Sequence, residues 1–264
     1  MKSSENEIFA ARITDMCERS ARQCAPNFTG FMSCEKQKIV KDQAKDFPDV
    51  FVVFFGGIEG AERKTAGIFP REVFNDFGSD AENEKEYSDM AELKYMHIKG
   101  SGYRRFSHRD ILGSLISGGI KKEAVGEIIV SDNGTGAYAV LLKSVYESVK
   151  AELERVANDK VSVKEIEKKD FPLIKREYED LSVTVSSVRL DGIISAALNL
   201  SREKTKKLVS SGLVLLNYSE CLQPDREMHE NDIFSVRGYG KYILEANLGK
   251  TGKGRTRLII KKYK

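Results

Sequence analysis

The stretch from Ser187 to Asn217, SVRLDGIISAALNLSREKTKKLVSSGLVLLN, constrains the fold of this chain more than any other part. Leu190, Ile193, Ile194, Ala197 and Leu198 recur at helical spacing and predict one amphipathic helix. Asn199 and Leu200 interrupt that pattern. Ser201 then suits the N-cap of a second helix, where its hydroxyl accepts an orphan backbone N–H. Leu208 and Val209 fall on the inner face of that helix, while Arg202, Lys204, Lys206 and Lys207 crowd its first two turns. Gly212 fits the C′ position, where the backbone turns left-handed. Val214 to Asn217 predicts a strand. Two short helices, with cations at the start of the second, offer a surface suited to a phosphate backbone.

This segment resembles the S4 RNA-binding domain. The matching residues are Arg189-Leu190-Asp191 at the first helix, Ser201-Arg202 at the second, and Gly212-Leu213-Val214 followed by Asn217. Asp232 to Gly238 (DIFSVRG) matches the closing strand. Tyr218 departs from the pattern, because the family often has Gly after the Asn. The resemblance implies RNA contacts from Arg189, Ser201, Arg202, Lys204, Thr205, Lys206 and Lys207, joined by Arg237 and Lys241 near the closing strand.

Charge is distributed unevenly around this segment. The whole chain of 264 residues carries a net charge of only +3. From Leu181 onward there are 15 Lys+Arg against 8 Asp+Glu, a net of +7, which leaves −4 for the preceding residues. A basic module on a mildly acidic body points to a polyanionic partner for the C-terminal third. A charge run alone reads equally well as a solvated face; its place on the helix pair favours the polyanion.

Composition excludes several classes. Apolar residues make up 41% and charged residues 31%, a globular balance. The longest apolar run, Val50 to Phe55, is too short to span a bilayer, so no membrane insertion is expected. The N-terminal residues, with Glu5 and Glu7, do not read as a signal peptide. Cys17, Cys24, Cys34 and Cys221 lack CxxC spacing and predict reduced thiols in a cytoplasmic protein. His97, His108 and His229 have no Cys or His at ligand spacing, so no metal or other cofactor is expected.

Two further units precede the basic module. Glu7 to Cys24 and Ser33 to Lys45 read as helices, the second closing before Phe47-Pro48. Val50 to Gly56 and Lys64 to Pro70 read as partner strands. The polar stretch Asn75 to Tyr87 reads as a domain boundary. Beyond it, Ala91 to Lys99 alternates like a strand, and Ser107 with Asp110 marks a capped helix running to Ser117 before Gly118-Gly119. Glu127 to Ser131 and Ala137 to Leu142 form a hairpin across Asp132-Asn133-Gly134. Ser144 to Val156 reads as a helix on the stripe Val145, Val149, Leu153 and Val156, and Val161 to Ile166 as a last strand. The order βαββαβ is the ferredoxin-like or RRM-like arrangement. Tyr95 and Tyr138 are the candidates for base stacking on its sheet, or for packing against protein. The expected architecture is α+β: an N-terminal α/β domain (1–82), an RRM-like domain (83–180) and an S4 domain (181–264).

Across its length the chain resembles the YlmH-like family. The segment Phe54 to Arg63 (FFGGIEGAER) matches a Gly-Gly…Glu-Arg motif, and Ser107 to Gly113 (SHRDILG) matches the hallmark His-Arg-Asp-x-Leu-Gly. Gly119-Ile120-Lys121-Lys122, Val185 to Asp191 (VSSVRLD) and Arg237 to Lys241 (RGYGK) match as well. The resemblance implies a bacterial or plastid RNA-binding protein. Members are associated with the large ribosomal subunit, with rescue of obstructed nascent chain–tRNA complexes and, by genomic neighbourhood, with cell division.

The His-Arg-Asp triplet supports two readings. Asp110 can complement the positive end of its helix while Arg109 pairs with an acid. Alternatively Arg104, Arg105, His108 and Arg109, with Lys121 and Lys122, make a secondary RNA contact. A kinase loop is excluded by the missing DFG and Gly-rich segments. Gly56-Gly57 lacks the rest of a phosphate-binding loop. Lys250 to Arg255 reads as a basic hairpin, either touching phosphate or solvated.

Together these features predict a monomeric, non-enzymatic RNA-binding factor. Its partner would be structured rRNA, or tRNA, on the large ribosomal subunit, in translation or ribosome quality control. The rival is a cell-division adaptor whose acidic N-terminal two-thirds bind protein and whose basic face tethers RNA without specificity.

Overall fold

Ile13, Met16 and Cys17 lie three and four apart on helix α1 (Lys2–Gln23), so one stripe of this helix is buried and the rest faces solvent. The stripe packs on a small sheet with Val40 of helix α2 (Cys34–Ala44). The sheet comprises β1 (Asn27–Phe28), β2 (Val50–Phe55) and β3 (Thr65–Pro70), antiparallel in the order β1-β3-β2. Burial raises the Cys17 thiol pKa to about 11, which holds it as an inert core group. The computed structural model describes residues 2–74, 89–174, 177–252 and 254–264. They divide into two compact units, 1–174 and 175–264. The linker read at Asn75 to Tyr87, the domain boundary at 82/83 and Lys253 lie outside the described residues.

The first unit holds a second sheet. Its strands are β4 (Leu93–Gly100), β5 (Val125–Val130), β6 (Gly136–Leu142), β7 (Arg155–Val156) and β8 (Asp159–Ile166). They are antiparallel in the order β5-β6-β4-β8-β7. Helices α3 (His108–Ser117) and α4 (Lys143–Glu152) cover one face, where Ile111, Leu115, Tyr146 and Val149 meet Met96, Ile98, Ala139 and Leu141. The opposite face is covered too. Val140, Tyr95, Tyr138 and Ile166 pack with Phe31, Ile58 and Phe171.

Two glycines permit this second contact. Gly57 has φ +82°, and a Cβ there would stand 2.9 Å from Val140 Cγ1. A Cβ on Gly126 would stand 2.6 Å from the Phe31 ring. Only glycine allows both approaches without displacement.

The second unit is one antiparallel sheet with a helix pair on one face. Its strands are β9 (Tyr178–Val185), β10 (Val214–Leu216), β11 (Ser219–Glu220), β12 (Ile233–Val236), β13 (Gly240–Lys250) and β14 (Thr256–Tyr263). The order is β11-β10-β12-β13-β14-β9. Helices α5 (Leu190–Leu198) and α6 (Arg202–Ser210) bury Ile193, Ile194 and Val209 against Phe234, Tyr242, Leu244, Leu258 and Ile260.

Two features differ from the sequence reading. The helix expected to reach Val156 stops at Glu152, and Leu153 leaves helical geometry at ψ 84°. Val156 enters β7, followed by the left-handed pair Ala157 and Asn158 that turns the chain into β8. Tyr178 to Val185, which the expected boundary at 180/181 divides, is a single strand paired along its length with β14.

Candidate nucleic-acid interface

Helix α5 ends at Asn199, whose φ of 52° places it in the left-handed region and turns the chain sharply. Ser201 then accepts the backbone N–H of Lys204 at 3.2 Å and starts α6. At the other end Gly212, φ +68°, sits where a Cβ would stand 2.6 Å from Glu220 Oε1. The register of α6 is therefore fixed at both ends. Thr205 and Val209 are fully buried and define its inner stripe.

That stripe sorts the predicted cations. Arg202 and Lys206, four residues apart, share one exposed flank of α6, while Lys204 lies on the other. Arg202 donates through Nη2 to Ser186 Oγ at 2.6 Å, which ties the start of α6 to the loop leading into α5. Lys207 pairs with Glu203 at 2.9 Å, both largely exposed, a contact worth a few tenths of a kcal/mol at most. Arg189 has Nε 3.6 Å from Oδ1 of the buried Asp191, whose same oxygen accepts the Gly192 N–H.

Two predicted contacts lie elsewhere. Thr205 has no exposed surface and donates its hydroxyl to the Ser201 carbonyl at 3.1 Å, so it packs the helix pair instead of facing a ligand. Lys241 stands on the sheet face opposite the helices. Its neighbour Tyr242 points into the core beneath α5 and α6, and successive strand residues alternate faces. The Lys241 ammonium sits 4.5 Å from the Tyr263 ring centroid and 4.9 Å from that of Tyr218. Asn217 and Tyr218, both left-handed, form the two-residue turn between β10 and β11, so Tyr218 adopts the conformation that glycine would take more readily. Arg237 is exposed just past β12.

In the first unit, Ser107 and Asp110 form a reciprocal capping box at the start of α3. Asp110 Oδ2 accepts both the Ser107 N–H at 2.8 Å and its hydroxyl at 2.7 Å, which holds the carboxyl pKa below its ordinary value. Arg104 donates to the Ala157 carbonyl at 3.1 Å and lies 3.9 Å from Asp110. The Asp of the triplet is thus structural. Arg105, His108 and Arg109 stay exposed beside it. Lys121 and Lys122 follow the far end of α3, a ten-residue helix about 15 Å long, so they form no common patch with Arg109. Lys121 instead borders a cleft of about 600 Å³ with Arg12, Lys36 and Phe9.

The aromatic face of the second sheet is occupied by protein. Tyr95 donates its hydroxyl to the Gly57 carbonyl at 2.8 Å, and burial pushes its pKa to about 12. Tyr95 and Tyr138 both meet Phe171 edge-on, at 5.9 and 5.8 Å between ring centroids. Both rings pack against protein, the second of the two roles expected for them. The Glu-Arg end of the Gly-Gly motif closes the same seam. Arg63 donates to the carbonyls of Val125 at 3.0 Å, Lys122 at 2.9 Å and Phe31 at 3.2 Å, and Glu62 N–H to Glu127 at 3.2 Å. Burial lowers the Arg63 pKa, partly offset by Glu123 and Glu127.

The second unit of this mixed α/β chain thus displays a capped helix flanked by exposed cations. The family described as "Putative RNA-binding domain in YlmH" matches residues 86–170. The chain is 29% identical over 230 residues to "Ribosome-associated protein quality control protein P2" of Bacillus subtilis (strain 168), which spans 87% of this chain and 84% of that protein. A solved structure, "Cell division protein ylmH from Streptococcus pneumoniae", shares the fold with a TM-score of 0.51 at 17% identity, covering 64% of this chain and 95% of that one. Over most of its length the chain is similar to proteins of the YlmH-like family. Among the described residues no helix is long and apolar enough to cross a membrane.

Proposed function

We propose that this chain is a non-enzymatic RNA-binding factor that associates with the ribosome and docks structured RNA through α5 and α6. The carrying observation is the geometry of α6. Its capped N-terminus, the Arg202–Lys206 flank and Lys204 are held outward by the buried Thr205 and Val209. Backbone N–H groups at the helix start meet phosphate, and Arg202, Lys204 and Lys206 add charge-assisted bonds. Recognition is of shape and phosphate geometry, as suits folded RNA.

In this reading the helix pair on its sheet is an S4 module, and the strand order β5-β6-β4-β8 is ferredoxin-like. The chain carries three domains, of which the first two share one compact unit and the third starts near Tyr178. The Bacillus relative's name supports a role in ribosome-associated quality control; the target in this reading is large-subunit rRNA near bound tRNA. The protein acts as a monomer in the cytoplasm.

Sedimentation of the full chain with ribosomal fractions at stepped salt tests this. Engagement of about five phosphates lowers affinity by roughly two decades or more between low and moderate ionic strength. Large-subunit enrichment that the Arg202→Ala, Lys206→Ala, Lys207→Ala variant loses supports the reading. A wild-type chain that stays in the soluble fraction at low salt overturns it and favours the cell-division adaptor.

A further inference from the structure

In the domain that matches an RNA-binding family, residues 86–170, Phe31, Ile58 and Phe171 pack against Tyr95 and Tyr138 and take up much of the sheet face that base stacking would use. That directs the search for an RNA contact in this domain to another surface. One loop of the domain and the helix start after it offer both elements of such a surface, an open aromatic ring and exposed cations.

Tyr103 is 95% exposed and is the one aromatic among the exposed large hydrophobic residues of the described chain. Its loop, which joins β4 to α3, is held firmly at both ends. The Ser101 hydroxyl and N–H both donate to the buried Asp159, and Phe106, itself buried, donates its N–H to the Gly134 carbonyl at 2.7 Å. Tyr103 N–H donates to Ser101 Oγ at 3.2 Å. Arg105 on the same loop and Arg109 in the first turn of α3 are exposed, and neither forms an ion pair among the described residues, although Arg109 lies within electrostatic reach of Asp110. Asp159 is engaged on Ser101, and Asp110 is held in the capping box, where it shares its charge with Arg104 and Arg109. A protein core gains nothing from this arrangement. An exposed ring on an anchored loop, with exposed guanidinium groups on that loop and on the helix that follows, suits an unpaired base and its phosphates.

We propose that the loop from Ser101 to Ser107 is a second RNA contact that stacks an unpaired nucleobase on Tyr103 while Arg105 and Arg109 hold the flanking phosphates. The inference rests on the reading of the chain as an RNA-binding factor but uses a site separate from α6.

The chain contains no tryptophan, so Tyr103→Trp gives a single fluorescent reporter. Full-length Tyr103→Trp is titrated with oligoadenylate of about eight nucleotides. Saturable quenching is expected, lost in the added Arg105→Ala, Arg109→Ala background and kept in the Arg202→Ala, Lys206→Ala background. By oligonucleotide anisotropy, Tyr103→Ala weakens binding about tenfold and Tyr103→Phe retains it. Quenching by polyglutamate of equal charge overturns base stacking, since it would show a general anion site. An unquenched tryptophan on a chain that still sediments with large subunits overturns the loop contact alone. An unquenched tryptophan on a chain that binds neither oligonucleotide nor ribosome overturns the loop contact and the RNA-binding reading together.

Discussion

Arg63 in the first unit and Arg202 in the second carry the same side chain to opposite ends. Arg63 is desolvated and spends its donors on three backbone carbonyls contributed by separate segments, so it fastens two sheets together. Arg202 is exposed and commits one nitrogen to the Ser186 hydroxyl, which leaves the rest of its guanidinium open to solvent. The aromatic residues divide in the same way. Tyr95 and Tyr138 lie under protein, whereas Tyr103 stands clear of it. Residue type alone therefore does not make a binding surface. Whether local backbone groups and neighbouring chains consume the donors and cover the rings decides it.

The largest effect expected from this contrast is at Arg63. Arg63→Ala leaves the carbonyls of Val125, Lys122 and Phe31 without that donor, and stability should fall by about 2–3 kcal/mol. Denaturant unfolding measures it, and a loss under about 0.5 kcal/mol would remove the seam role. Next comes the Arg202→Ala, Lys206→Ala pair, which should change stability by less than about 0.5 kcal/mol. It should lower the salt slope of RNA binding by about two. An unchanged slope would place the phosphates elsewhere.

A smaller effect is expected at Lys241. Its two ring contacts are worth about 0.5–1 kcal/mol in stability, and Lys241→Ala should leave the salt slope as it is. Loss of RNA affinity in that variant would move the interface to the other sheet face. The smallest effect concerns pH. Burial, then Lys99 and Lys164, lowers the pKa of His97, which stacks on Tyr138 at 4.5 Å. The unfolded chain therefore binds the proton at higher pH than the folded one, so stability falls as pH drops below about 6.5 toward the folded-state pKa. His97→Gln should flatten that part of the stability–pH curve; a steeper curve would contradict the assignment.

Local signals in the sequence were reliable where both partners lie within one turn. Ser107 with Asp110, Ser201 with α6 and Gly212 after it are legible because each pairing spans three residues or a single backbone torsion. The helix read through Val156 failed for a related reason. Leu153 and Val156 keep the helical spacing and remain turned toward the core, but Asn158 takes the left-handed turn that starts a hairpin. The period-two pattern Leu181, Val183, Val185 of β9 is short and follows the charged pair Glu179-Asp180, which hides the start of the strand. The role of Arg63, the burial of Tyr95 and the face taken by Lys241 depend on contacts distant in sequence, and no spacing announces them. Tyr103 could have been found from its place between Gly102 and Arg104-Arg105, an aromatic flanked by cations in a predicted loop.

Ultraviolet cross-linking of the full chain to large ribosomal subunits, with the linked peptides mapped by mass spectrometry, tests the central claim most directly. Cross-links should concentrate in residues 186–210, covering the loop before α5, the α5–α6 corner and α6. Cross-links confined to β4 and β6, with none between 186 and 210, would contradict the account.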